Sequence, residues 1–214
     1  MRILFLSIAV WSGLVFGAQS KPMTMDEIKQ LSENLKKAQH VSVDFDMIQT
    51  RKLRNRPVVK TGSAQFAKPN MFLWELESKP KSIQVYDGKT FTRYTPESNE
   101  AQVFSTKGGE FKSIARLIDM VLDLSALTDS YDIVSKNWQD KNAILVLRPK
   151  VADSDIRDVE LKISSEFSMV KDIKMNFHSG NTTEIKFKNL ARKKLDPKVF
   201  ALNLPKGTKI IDVK

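Results

Sequence analysis

From residue 41 onward the chain alternates. Val41, Val43, Phe45 and Met47 are separated by Ser42, Asp44 and Asp46, the period of two that turns one face of a strand inward and the other to water. The same period returns in AKPNMFLWELESKP, where Phe72, Trp74 and Leu76 share a face between two Lys-Pro steps. It continues through Ile83 and Val85, Phe91 and Tyr94, and then through AILVLRP, DVELKIS, DIKMNF and TEIKFKN. Asn, Asp, Ser and Gly break these runs, and the Asp87-Gly88 pair predicts a two-residue hairpin turn. Connections this short suit antiparallel pairing and leave no room for crossover helices. About ten or eleven strands are expected by this reading.

Two stretches carry helical spacing instead. Thr24 and Glu27 form a capping-box pattern ahead of Ile28, Leu31 and Leu35, which predicts a first amphipathic helix. In EFKSIARLIDMVLDLSALTDSY, residues Phe111, Ile114, Ala115, Ile118, Val121 and Leu122 recur at steps of three and four, and Leu117 and Leu124 widen the stripe. A curved sheet of this many strands cannot fill its concave side with its own side chains. The two helices are expected to cover it. The fold class is therefore mainly β with α, built on a single curved antiparallel sheet.

The N-terminus changes the picture of where the chain works. Arg2 precedes a largely apolar run from Ile3 to Phe16, followed by small residues from Gly17 to Ser20. The run is shorter than a membrane-spanning helix needs, and the layout is that of a secretory signal peptide. Residues 1–20 are expected to be removed, leaving a domain of residues 21–214 that is exported and unanchored. There is no cysteine to form a disulfide or to carry a lipid, so stability must come from the core.

Candidate chemistry is sparse. Without cysteine there is no thiol nucleophile or thiolate metal site. His40 and His178 are isolated, and Asp153, Asp155 and Asp158 read as a solvated hairpin loop. No nucleophile elbow, phosphate loop or zinc-binding helix motif is present. The expectation is a protein that is not an enzyme and needs no cofactor or metal. The formal net charge of +10 gathers in Arg51, Lys52, Arg54, Arg56 and Lys60 and again in Arg192, Lys193, Lys194 and Lys198. Solvated loops are the plain reading of these clusters, and docking to an acidic partner or anionic lipid is the functional one. Nucleic acid does not suit an exported protein.

The run from Gly62 to Trp74, GSAQFAKPNMFLW, resembles the glycine, basic-Pro-Asn, Phe-x-Trp pattern of the outer-membrane lipoprotein carrier (LolA) family. IQVYDGKTFTRYTPESNEAQV, LVLRPK and the closing FALNLPKGTKIID are similar to its later strands, so the resemblance spans residues 24 to 213. It implies an unclosed half β-barrel with lid helices over a hydrophobic concavity. It further implies a monomeric periplasmic chaperone. Such a chaperone takes acylated lipoproteins from an inner-membrane ABC-type release complex to an outer-membrane receptor. The acyl-chain set expected here is Phe45, Phe72, Trp74, Leu76 and Phe91 from the sheet, with Ile114, Ile118 and Val121 from the lid. Lys68 stands where the family usually has a lid-bonding arginine, and it keeps the charge without the planar fork. A lipid- or lipoprotein-sensing regulator on the same fold is the alternative.

Overall fold

The computed structural model describes residues 20–53, 56–105, 120–151, 154–166 and 168–213. Among them thirteen strands form one sheet. In chain order they are β1 (Ser20–Pro22), β2 (His40–Thr50), β3 (Val58–Ala67), β4 (Met71–Leu76), β5 (Ser82–Tyr86), β6 (Phe91–Thr95), β7 (Glu100–Phe104), β8 (Tyr131–Gln139), β9 (Asn142–Pro149), β10 (Ile156–Ser164), β11 (Met169–Phe177), β12 (Thr182–Ala191) and β13 (Lys209–Val213). Across the sheet they run β1-β8-β9-β10-β11-β12-β2-β3-β4-β5-β6-β7-β13. The sheet is unclosed, with β1 and β13 at its two edges.

The strand count exceeds the ten or eleven expected, for a physical reason in each case. β1 has three exposed residues and β13 none that is buried, so neither shows a core-facing stripe. β8 buries Tyr131 alone and lacks clean alternation, and its first residue falls in the stretch that reads as helix. β13 also departs from the antiparallel rule, since it pairs parallel to β7. The loop Asp87–Thr90 is longer than the expected two-residue turn: Asp87 Oδ1 accepts from the N–H groups of Lys89 and Thr90, each at 2.8 Å.

The first helix, α1 (Met25–Lys36), forms as its sequence dictates. Thr24 caps it, with Glu27 N–H donating to Thr24 Oγ1 at 3.2 Å and Thr24 N–H donating to Glu27 Oε2 at 2.7 Å. Ile28, Leu31 and Leu35 are buried on one stripe. Trp138 of β8 donates its indole N–H to Glu27 Oε1 at 3.0 Å, tying the start of α1 to the sheet. Of the second helical stretch, residues 120–122 are helical, Asp123 interrupts, and a 3-10 turn (Leu124–Ala126) leads into a single α-turn (Leu127–Ser130). Phe111, Ile114, Ala115, Leu117 and Ile118 lie outside the described residues.

Strand alternation divides the sheet into two apolar layers. Phe72 and Trp74 of β4 enter the main core beneath α1, with Leu76 packed against it. Met71 and Leu73, their neighbours on the opposite face, pack with Ala67, Val85, Leu195 and Phe200. A 3-10 turn (Pro197–Phe200) brings Phe200 there, and Asp196 caps that turn by accepting from Lys198 N–H at 2.9 Å. One sheet is thus covered on both sides in this region.

Candidate functional site

The inner wall is an aromatic row set by register. Phe66 pairs with Phe72, Phe72 with Tyr86, Tyr86 with Phe91, and Phe91 with Phe104. Directly paired residues share a face, so five rings cross five strands side by side. The Phe72 and Phe91 rings lie 5.8 Å apart, and those of Phe91 and Phe104 lie 5.0 Å apart. One row further along, Phe45 of β2 stacks on Trp74 with centroids 3.9 Å apart and planes inclined by 26°. Gly62 makes this stack possible. A Cβ at that position would collide with the Glu75 carbonyl and lie 2.6 Å from Phe45 Cζ.

The sheet residues expected to hold acyl chains are thus brought together, at different depths. Phe45 and Phe72 are 1% exposed and Phe91 is fully buried, whereas Trp74 keeps a small exposed edge and Leu76 is half-buried. Val121 is buried in the same core. Ile114 and Ile118 lie outside the described residues. Sequence reading missed the polar side of this wall. Gln84, Arg93 and Gln102 continue the row of Trp74 across β5, β6 and β7, and the Arg93 guanidinium sits 5.0 Å from the centre of the Phe104 ring. The signal was present in the alternation of Ile83 and Val85 with Gln84 and Tyr86. It was misleading because the aliphatic pair serves the second apolar layer.

Lys68 lies at the rim, half-buried in the turn between β3 and β4. Its Nζ donates to the carbonyl of Lys36, the last residue of α1, at 2.6 Å. A cation there also meets the negative end of the helix dipole. Lys36 Nζ in turn lies 3.8 Å from the Asp123 carboxylate, so sheet, helix and the 120–124 segment are joined in one chain of polar contacts.

Where α1 meets β2, β11 and β12, an apolar crevice among Leu35, Val41, Val43, Val121 and Val170 has a volume of about 10 Å³, room for about one water. Met169, Phe187 and Leu190 carry it outward into a shallow depression of about 310 Å³ flanked by Lys171 and Lys188. A larger polar hollow of about 340 Å³ lies at the opposite end of the sheet, among Arg51, Asp155, His178 and Asn181. No group of three metal-ligating side chains occurs among the described residues.

Residues 36–203 match the model of the outer membrane lipoprotein carrier protein LolA. The chain belongs to the LolA family. An outer-membrane lipoprotein carrier protein of Pseudomonas putida is 23% identical over 94% of this chain and 95% of its own length. One of Glaesserella parasuis is 25% identical, over 86% of this chain and 85% of its own. A crystal structure of an uncharacterized conserved protein from Thermus thermophilus superposes with a TM-score of 0.58 at 10% identity, covering 87% of this chain and 99% of that one. The unclosed sheet under a capping helix is therefore the LolA fold, and the chain stands at family level among periplasmic lipoprotein carriers.

Proposed function

We propose that this protein is a periplasmic chaperone that holds the acyl chains of lipoproteins against its concave wall and carries them from the inner to the outer membrane. The observation that carries the proposal is the continuous aromatic row of the sheet, which shares one buried core with a helix whose end Lys68 holds. Exposing an acyl chain to water costs about 0.8 kcal/mol per methylene, so a chain of some 15 methylenes costs about 12 kcal/mol. A carrier must cover that surface and still release it. Apolar contact is non-directional and reversible, which suits a wall of rings better than a set of directed hydrogen bonds.

In this reading Phe45, Phe72, Trp74, Leu76 and Phe91 form the fixed wall. Val121 shares their core, Ile114 and Ile118 of the lid stretch are assigned to the acyl-chain set from the sequence, and Lys68 latches α1. The narrow crevice among Leu35, Val41, Val43, Val121 and Val170 belongs to the unloaded state, and cargo enters when α1 and the 120–124 segment lift together. An inner-membrane ABC-type complex supplies the lipoprotein and an outer-membrane receptor accepts it.

Mass spectrometry of species that co-purify with the protein from periplasm tests this. Acylated lipoproteins are expected, together with release of newly made lipoproteins from spheroplasts when the protein is added. Recovery of free phospholipid alone, with no lipoprotein release, overturns the proposal.

A further inference from the structure

β2 and β3 are joined at the end of the sheet remote from Lys68, and the described surface there is unusual. Leu53 is 95% exposed. Val58 and Val59 are consecutive in β3 and so point to opposite faces, yet they are 39% and 55% exposed. Both faces of the hairpin are therefore uncovered here, beyond the reach of either apolar layer. Around this apolar tip stand Arg51, Lys52 and Arg56, all exposed, with Lys60 behind them. None of the four has an ion-pair partner among the described residues. Isolated exposed apolar residues are ordinary, but a leucine this exposed, set among basic side chains without ion-pair partners among the described residues, is not.

The base of the hairpin is held. Lys52 N–H donates to Asn181 Oδ1 in the β11–β12 turn at 3.0 Å, and His178 N–H of that turn donates to the Asp155 carbonyl at 3.0 Å. The β9–β10 loop so joined presents a further exposed apolar residue, Val151 at 55%. Between these loops lies the polar hollow of about 340 Å³, where Arg51, Ser179, Asn181 and Thr182 offer donors and Asp155 is, among the described residues, its one carboxylate.

We propose that this end of the protein docks on the surface of an anionic phospholipid bilayer. Leu53 enters the acyl layer, while Arg51, Lys52 and Arg56 meet headgroup phosphates. The strong positive charge, +10 for the full sequence with only Arg2 of it in residues 1–20, draws the protein to such a surface, and the apolar tip converts approach into attachment. The site is separate from the aromatic wall and does not depend on what that wall carries.

Flotation of the purified protein with vesicles tests the proposal, comparing phosphatidylcholine alone with phosphatidylcholine containing one-third phosphatidylglycerol. Binding to the anionic vesicles is expected, and salt should weaken it. Each of Arg51→Gln, Lys52→Gln and Arg56→Gln is expected to lower it about fivefold, and Leu53→Asp about tenfold. The chain has no cysteine, so an environment-sensitive fluorophore on Leu53→Cys reports the tip alone, and its emission should shift to the blue with anionic vesicles only. These side chains are exposed, so thermal melts should stay unchanged and acyl-chain uptake by the interior should persist. Equal binding to both vesicle types, or binding unaffected by Leu53→Asp and the three charge changes, overturns the proposal. If those variants bind vesicles normally but hand over lipoproteins poorly, the tip serves a protein partner, and the membrane assignment is likewise overturned.

Discussion

The ammonium group of Lys68 reaches the main-chain carbonyl of Lys36 at 2.6 Å, so one side chain of the sheet rim holds the end of α1. Lys68→Ala removes a charged donor from a half-buried carbonyl and should cost about 1–2 kcal/mol of stability. Binding of an apolar dye should rise, because α1 covers the main core. Lys68→Arg should restore both, since its guanidinium supplies the donor in another geometry. Unchanged dye fluorescence in Lys68→Ala would remove Lys68 from the lid.

Leu76 and Phe72 should separate binding from folding. Phe72 is 1% exposed and packs against Tyr86 and Phe91. A carboxylate there is buried without a partner, and its cost rivals the 5–15 kcal/mol of a typical domain. Phe72→Glu should therefore fail to fold. Leu76 is half-buried, so Leu76→Glu should keep a cooperative melt and lose acyl-chain uptake by about tenfold or more, as about two buried methylenes would predict. Uptake equal to wild type in Leu76→Glu would place Leu76 outside the site.

Gly62→Ala should be destabilising although it adds only a methyl group. The clashing carbonyl of Glu75 is fixed in the β3–β4 ladder, where Ser63 pairs with Glu75. The β3–β4 ladder must open locally to free the methyl group from that carbonyl, and the Phe45 ring must also shift against Trp74. A loss of about 2–3 kcal/mol is expected, with a change in the near-ultraviolet circular dichroism of the tryptophan. Melts and spectra matching wild type would show that the stack tolerates a Cβ.

Acid should act on the start of α1. The Thr24 N–H and then the Trp138 indole hold the Glu27 carboxyl below the ordinary carboxylate range. The unfolded chain lacks both donors and binds the proton more readily, so this contribution is complete above the ordinary value and fades as pH falls through the folded one. Glu27→Gln should flatten the acid limb of the stability curve and lower its neutral plateau. Asp172 has the opposite sign, because burial raises its pKa. Asp172→Asn should gain stability at neutral pH, where the charged form is disfavoured. Thermal melts across acid and neutral pH check both.

N-terminal sequencing should find the exported protein beginning between Ala18 and Lys21. Cleavage before Ser20 leaves all of β1 to pair with β8. An intact Met1 in the inner-membrane fraction would contradict this.

Much of this was legible from alternation. The inward face of β4 and the stripe and cap of α1 were all stated by residue spacing, because each follows from short-range geometry. What was not legible came from long range. Nothing in Ile83 and Val85 says that a segment near Phe200 will cover them, and so their face was not assigned. The polar row of Gln84, Arg93 and Gln102 appears only once register is known. Lys68 was readable through its place beside Pro69 and Asn70, while its partner at Lys36 depends on where α1 ends.

The pairing of β2 with β12 has a kinetic consequence. The chain is two successive meanders, β2 to β7 and β8 to β12, sewn together along this one seam. Across it Asn189 donates to Asp44 at 2.7 Å over a separation of 145 residues, and Lys188 meets Asp46 at 2.6 Å. Pairing over such a distance is slow, since the entropy of closing the loop is spent before any contact rewards it. The first meander carries the whole aromatic row, but Val41 and Val43 of β2 meet Val170 of β11 and Phe187 of β12 only once the seam has formed. A chain emerging from its amino end therefore lays down the aromatic wall early, and the crevice beneath α1 takes shape only when β12 has arrived.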